Sequence, residues 1–208
     1  MIRKEGQETR VRDKWGAAAV LIAALLASAP ALGRSDESTK EQSHFSCEQD
    51  YANEPVRQPV TLSAEAVEAL AKDQNVDSCL KEAGKSADQA FSWFVASEIH
   101  LGGGDEVDYV VLPSLLSKVE QPGDAPNNAC FRGANAASFW ALRRTKQGYT
   151  LVFSGSGHDL SILHHRTNGF RDIKISTAIQ AGGDISEAVY RFDGRRYVKV
   201  KVDERPGE

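Results

Sequence analysis

The chain has 208 residues, of which 41% are hydrophobic and 26% charged, and a formal net charge of −4. These values describe an ordinary globular protein of one domain, or one domain with a small appendage. The acid excess argues against a nucleic-acid role, which needs a basic face, and against docking on an anionic membrane surface.

Residues 1–33 read as a secretory signal peptide. Arg3, Lys4, Arg10, Arg12 and Lys14 precede the apolar run Ala17–Ser28, and Ala31-Leu32-Gly33 supplies a small-residue exit. No cysteine follows the run to carry a lipid, and no twin arginine precedes it. An uncleaved anchor is the alternative, since Trp15 to Gly33 is 19 residues, close to the ~20 that span a bilayer. Its many alanines would hold a membrane weakly. Cleavage near Gly33 would remove five basic and three acidic residues from totals of 25 and 29, leaving 20 against 26 and a net of −6. The expected destination is bacterial, periplasmic or secreted, with no stable membrane anchoring afterwards.

Residues 34–60 form a polar leader, with Pro55 and Pro59 keeping the chain extended. Helical spacing of Ala66, Val67, Leu70 and Ala71 predicts a helix capped by Thr61 or Ser63. A second short helix is predicted over Val76–Ala83, with Val76, Cys79 and Leu80 on one face and Gly84 ending it. From Phe91 the texture changes to short aromatic and β-branched runs. The predicted strands are Trp93–Leu101, Tyr109–Leu112, Ser138–Arg143, Tyr149–Phe153, Leu160–His165, Ile173–Ser176, Ala188–Phe192 and Tyr197–Val202. In the last, Val198, Val200 and Val202 alternate with Lys199 and Lys201, which predicts one buried and one wet face. Asp193-Gly194 and Asn168-Gly169 are two-residue hairpin signals, and Lys146-Gln147-Gly148 can close a third hairpin. The long exception is Pro113–Ala137. The reading is α+β: short N-terminal helices packed on an antiparallel β-meander, one domain over 61–202 (helical 61–84, β-rich 91–202), with 203–208 as a tail.

An exported chain meets an oxidising compartment where disulfides persist. Cys47, Cys79 and Cys130 allow three pairings and leave one thiol over. Cys47 with Cys79 is the expected pair because both lie in the N-terminal segment. Closing that loop would stabilise the fold by roughly 3–4 kcal/mol. No two cysteines sit at zinc-ligand spacing.

The stretch His100-Leu-Gly-Gly-Gly-Asp-Glu-Val-Asp108 resembles a calcium loop of the type Asp-x-Asn-Gly-Asp with ligands removed. His100 would take the first ligand position and Asp108 keeps a carboxylate. Gly102 and Gly104 have no side-chain oxygen, and Asp105 and Glu106 fall off the expected spacing. A glycine-rich turn between two strands, with no metal held, is the simpler reading. Gly104…Asp108-Tyr-Val-Val is echoed by Gly169…Asp172-Ile-Lys-Ile. An Asp just after a turn ties down backbone N–H groups.

That degenerate turn has company. Asn168-Gly-Phe-Arg-Asp-Ile-Lys-Ile175 and Tyr190-Arg-Phe-Asp-Gly-Arg-Arg-Tyr197 close the chain, and Cys130-Phe-Arg-Gly-Ala-Asn-Ala-Ala precedes an aromatic strand. Over Phe94–Leu112, Cys130–Phe153 and Leu163–Val200, roughly half the chain, the sequence resembles a group of uncharacterised exported bacterial proteins. Their turn is Asp-Leu-Asn-Gly-Asp-Gly-like, and their closing motifs are Asn-Gly-x-x-Asp and Phe-Asp-Gly-x-x-Tyr. The resemblance implies an envelope protein with a β-rich fold and no assigned activity. This chain departs from the group at the acidic turn and at the small-residue loop, which keeps one cysteine.

Catalytic motifs are weak. Ser78-Cys-Leu-Lys81 matches Ser-x-x-Lys without its companions, and Ser154-Gly-Ser-Gly157 lacks the strand-turn-helix context of a nucleophile elbow. No phosphate or dinucleotide loop occurs. His164 and His165 would point to opposite faces of a strand, and His158 lies about 20 Å from His164 along it, so three lone histidines are expected. Phe91, Trp93, Phe94, Phe139, Trp140 and Tyr149 read as core and sheet-face residues. The expectation is a non-enzymatic envelope protein that needs no cofactor and binds another envelope or secreted protein, an inhibitor-like module working through a sheet edge and the Pro113–Ala137 loop. The alternatives are a hydrolase of an envelope polymer using Asp105, Glu106 and Asp108, and a calcium-stabilised β module.

Overall fold

Ser63 opens the first helix, α1 (Ala64–Leu70), by accepting a hydrogen bond from the Ala66 N–H. Asp73 caps α2 (Gln74–Ala83) by accepting from the Asn75 and Val76 N–H groups, and Gly84 ends it at φ 62°. That left-handed conformation suits glycine. In the computed structural model the described residues are 41–47, 56–114, 130–133, 135–179 and 184–205. The expected signal peptide, much of the leader and most of the 113–137 loop lie outside them.

Among the described residues there are nine strands, every paired neighbour antiparallel: β1 (His44–Ser46), β2 (Phe94–Ile99), β3 (Asp108–Pro113), β4 (Ala137–Thr145), β5 (Gly148–Gly157), β6 (Asp159–Thr167), β7 (Phe170–Ala178), β8 (Ile185–Phe192) and β9 (Tyr197–Arg205). All eight predicted strands are present and β1 is additional. They form two sheets rather than one meander, β2-β3-β4-β5 and β1-β6-β7-β8-β9. Among the described residues α1 and α2 stand against nine strands, so the protein is mostly β, which corrects the α+β reading.

The chain changes sheets at His158. Its N–H donates to the Ser176 carbonyl and its carbonyl accepts from the Cys47 N–H. The glycines before it make the crossing possible. A Cβ on Gly157 would lie 2.7 Å from the Ser176 carbonyl oxygen and collide with Ile175, and one on Gly155 would lie 2.7 Å from the Phe153 ring. So Ser154-Gly-Ser-Gly157 serves close packing of strand on sheet.

Each β2–β4 residue alternates between two cores. Val95, Ile99, Val110, Leu112, Phe139 and Ala141 face the second sheet and meet Leu160, Ile162, Ile173 and Ile175. Phe94, Ala96, Val111, Trp140 and Leu142 face the other way and meet α1 and α2. The order of layers is therefore helices, four-stranded sheet, five-stranded sheet. Trp93, Phe94, Phe139, Trp140 and Tyr149 are buried as expected, but Phe91 is 52% exposed. It stands in a 3-10 turn, Phe91–Trp93, that turns only Trp93 inward.

Four further corrections come from the same packing. The leader supplies Phe45, on β1, and Val56 to the inter-sheet core. Strand pairing of β9 with β8 reaches Arg205, inside the expected tail. The loop after Phe192 holds four residues, because Phe192 pairs with Tyr197. The Asp193 carboxylate accepts the N–H groups of both Arg195 and Arg196 there, which holds its carboxyl below the usual range. Finally, β9 does not bury its valines: Val200 is 46% and Val202 50% exposed. Ladder register slips between Val189 and Tyr190, where Val189 pairs with Lys201 and Tyr190 with Lys199, so Val200 is the bulged residue. Tyr197, paired with the buried Phe192, takes the inward parity from the start of β9, so Val198 lies on the other face, and the bulge changes parity only beyond Val200.

The disulfide joins Cys79 on α2 to Cys130, 51 residues apart with Cα atoms 6.1 Å apart. This corrects the expected Cys47–Cys79 pair. Cys47 sits beside β1, in the inter-sheet layer, and donates its N–H to His158. Cys79 points to the helix side of the four-stranded sheet, with Phe131 and Trp140. Proximity along the chain was the wrong guide; the layer decides. A disulfide fits an oxidising compartment, and among the described residues no helix is long and apolar enough to cross a membrane.

Two outcomes follow from this packing. Closing a loop of 51 residues is worth about 4 kcal/mol by chain entropy, so reduction, or Cys79→Ala, lowers urea-unfolding stability by about that amount; a loss under about 1 kcal/mol contradicts the bridge. Gly157→Ala costs about 1–3 kcal/mol through overpacking, and an unchanged unfolding midpoint would mean that β5 does not lie against Ser176.

Candidate functional site

Four turns gather at one end of the two sheets. Ile99 pairs with Asp108, Thr145 with Gly148, Thr167 with Phe170 and Phe192 with Tyr197. They are tied across the sheets. The Arg171 N–H and Arg166 Nη1 both donate to the Leu101 carbonyl, and within the five-stranded sheet Asn168 Nδ2 donates to the Phe192 carbonyl at 2.7 Å. Asn168 and Gly169 have φ of 53° and 81°, as the predicted Asn-Gly hairpin turn requires.

Asp108 is the centre of this end. It is 2% exposed. Its Oδ2 accepts the Leu101 N–H at 3.0 Å and its Oδ1 accepts the Arg144 N–H at 2.9 Å; the Gly102 N–H is a third donor. The carboxylate thus joins the start of the triple-glycine turn to the end of β4. Burial raises its pKa, against those backbone donors and the nearby Arg143 charge, which lower it. Burial and these backbone donors together hold the Asp108 carboxylate in place, turned away from solvent.

The other predicted ligands do not join it. His100 is exposed, and its N–H donates to Glu41 Oε1 at 2.8 Å. Asp105 is exposed in the turn. Among the described residues no group of three or more His, Cys, Asp or Glu side chains could hold a metal. Glu106 and Asp108 line one cleft of ≈170 Å³ with Gly102–Gly104, Arg143, Arg144 and Phe170. Arg143 is held by rings: its guanidinium carbon is 4.5 Å from the Phe170 centroid and 5.7 Å from that of Phe192. Arg144 lies 4.8 Å over Tyr149 and donates to its hydroxyl at 2.9 Å. Tyr109, stacked on Tyr149 at 5.1 Å, is pushed up to about 12 by burial and by that neighbour.

Asp172 is the second buried aspartate, 1% exposed. Its Oδ2 is 2.8 Å from His165 Nδ1 and 3.3 Å from Arg191 Nε, so His165 is not the lone histidine expected. The echo of turn, Asp and strand could have found it, since it marks one buried acid per sheet. Tyr197, whose hydroxyl donates to the Arg171 carbonyl at 2.7 Å, lies near both acids and is raised chiefly by burial. Ser78 is exposed on α2, and Lys81 is engaged by Asp77 at 2.6 Å.

The third feature is a flank. A cleft of ≈440 Å³ runs between β5 (Leu151–Ser154) and the start of β9 (Arg196–Lys199). Both strands end their sheets, so each has an unladdered side. No family model, curated protein or solved structure matches this chain.

Replacing Asp108 with Asn leaves one N–H facing an amide NH2 and costs about 1–3 kcal/mol at pH 7, read as a lower urea midpoint. The pH dependence has a definite sign. The native pKa lies above the ordinary 3.8, so the folded state keeps its proton to higher pH than the unfolded chain. Wild type therefore gains stability relative to Asp108→Asn as pH falls through that window. A constant gap between pH 7 and 4 would contradict the burial of this carboxylate.

Proposed function

We propose that this chain is an exported, non-enzymatic binding module that holds an extended acidic segment of another envelope or secreted protein along the β5–β9 flank. The observation that carries the reading is the cleft at that flank, bordered by Arg196 and Lys199, with Val200 and Val202 exposed further along β9. An edge strand offers main-chain N–H and C=O groups to an added strand. Lys199 and Lys201 stand on either side of the bulged Val200, so this edge sets basic side chains beside exposed valines and suits a segment that carries both acidic and apolar residues. A second copy of the chain is the poorer occupant, because β9 against β9 sets lysine near lysine. The Pro113–Ala137 loop, expected as a second contact, lies mostly outside the described residues.

Export rests on the basic stretch and apolar run of residues 1–33 with cleavage near Gly33, in a bacterial periplasm or medium. The Cys79–Cys130 bond supports it, since such bonds persist where the medium oxidises.

The check is a titration of β9 amide resonances with two amidated nine-residue peptides, alternating Val with Glu or Val with Lys. The Glu peptide is expected to shift β9 and β5 amides and to lose roughly tenfold in affinity in the Lys199→Glu, Lys201→Glu double variant. Equal binding of both peptides, or shifts confined to other strands, would overturn the reading.

A further inference from the structure

We propose that the cleft between the triple-glycine turn and Arg143 is a carboxylate-binding site. This goes beyond the flank reading and does not rest on it.

Arginine recognises carboxylates when its planar fork is held still and its N–H edges are free. Arg143 meets both conditions. Phe170 and Phe192 stack on each other with centroids 4.2 Å apart and support its guanidinium from one side. Cation–π contact fixes the plane of the group without consuming its donors. Among the described residues no carboxylate forms an ion pair with Arg143. Asp108, which feels the Arg143 charge, has both oxygens engaged by the Leu101 and Arg144 N–H groups. The fork is therefore built, oriented and unspent.

The opposite wall suits an anion. Gly102, Gly103 and Gly104 line the cleft with no side chain of their own. Gly102 is confined as well, since a Cβ there would sit 3.3 Å from the Phe170 ring. Backbone N–H groups around a concavity favour negative charge, and those of Gly103 and Gly104 are not engaged by Asp108. The volume, ≈170 Å³, is below that of the pockets that hold drug-sized ligands and suits one carboxylate with a short stem.

Glu106 opposes entry. Its carboxylate folds back over Gly104, where an added Cβ would collide with it, and it lines the cleft. An incoming carboxylate must therefore displace this acid or tolerate it. Neutralising Glu106 should tighten binding, whereas neutralising Arg143 should abolish it. The two sources of a carboxylate are an acidic side chain and a free carboxyl terminus.

The test is titration of the disulfide-intact chain, followed by the amide resonances of Gly102–Gly104 and the Nε–H of Arg143. The probes are acetate, acetyl-Ala-Glu-Ala-amide, and acetyl-Ala-Gln-Ala with a free carboxylate; all are too short to add as a strand. Saturable shifts at the glycines with at least one probe are expected. Affinity should fall at least tenfold in Arg143→Gln, fall in Arg143→Lys, which keeps charge but loses the fork, and rise severalfold in Glu106→Gln. Preference for the first peptide identifies a side chain as the source, and preference for the second a carboxyl terminus. Absent or non-saturable shifts with all three probes overturn the proposal. So does affinity unchanged in Arg143→Lys, or unchanged or weakened in Glu106→Gln, two variants that keep the inference open to refutation should Arg143→Gln fail to fold.

Discussion

A buried carboxylate with three backbone donors sets the geometry of one end of this protein. Asp108 begins β3 and collects N–H groups from Leu101, Gly102 and Arg144. Two of these precede or open the triple-glycine turn, and the third lies where β4 leaves for its hairpin. In water such a turn would sample many shapes, because glycine has the most backbone freedom to lose. One acid, removed from solvent and neutralised by oriented dipoles, selects a single shape. Burial opposes ionisation and the donors favour it, and burial is the larger effect on its pKa. The resulting turn is a wall of bare backbone against which Arg143 can face.

Around this centre the two sheets divide the work. The four-stranded sheet is shielded by α1 and α2 on one face and by the five-stranded sheet on the other. The disulfide ties α2 to the chain entering β4, on the helix side. The five-stranded sheet carries its own buried acid, Asp172, under His165 and Arg191. Its Oδ1 is buried without a hydrogen-bond partner, and the structure offers no reason for that. The binding features proposed above lie where this scheme leaves polar groups unspent: the flank of β5 and β9, and the ring-held guanidinium of Arg143.

The element pattern was readable because it is local. Eight strands and both helices follow from alternation, capping and turn residues, each decided within about ten positions. What failed was decided at longer range. Val198, Val200 and Val202 alternate cleanly, yet the inward parity belongs to Tyr197 through its pairing with the buried Phe192, and a bulge at Val200 breaks the alternation beyond it. Phe45 is a lone aromatic in a polar stretch, and only its pairing with Leu160 puts it in the core. The close approach of β5 to the second sheet was encoded in Gly157, which carries meaning only once Ile175 and Ser176 lie against it. Cys79 pairs with Cys130 because both face the helical layer, a relation that sequence distance conceals. In the site, the turn and the backbone role of an Asp after it were legible. The stacking of Arg143 on Phe170 and Phe192 was not, because it joins residues from both sheets.

Native-state amide hydrogen exchange reads the backbone hydrogen bonds through which Asp108 organises the turn end. Protection should be strong at Leu101, Gly102 and Arg144, and weak at Gly103 and Gly104 in the same turn, whose N–H groups the carboxylate does not engage. Uniformly fast exchange from Leu101 through Gly104, with Arg144 equally unprotected, would contradict the account.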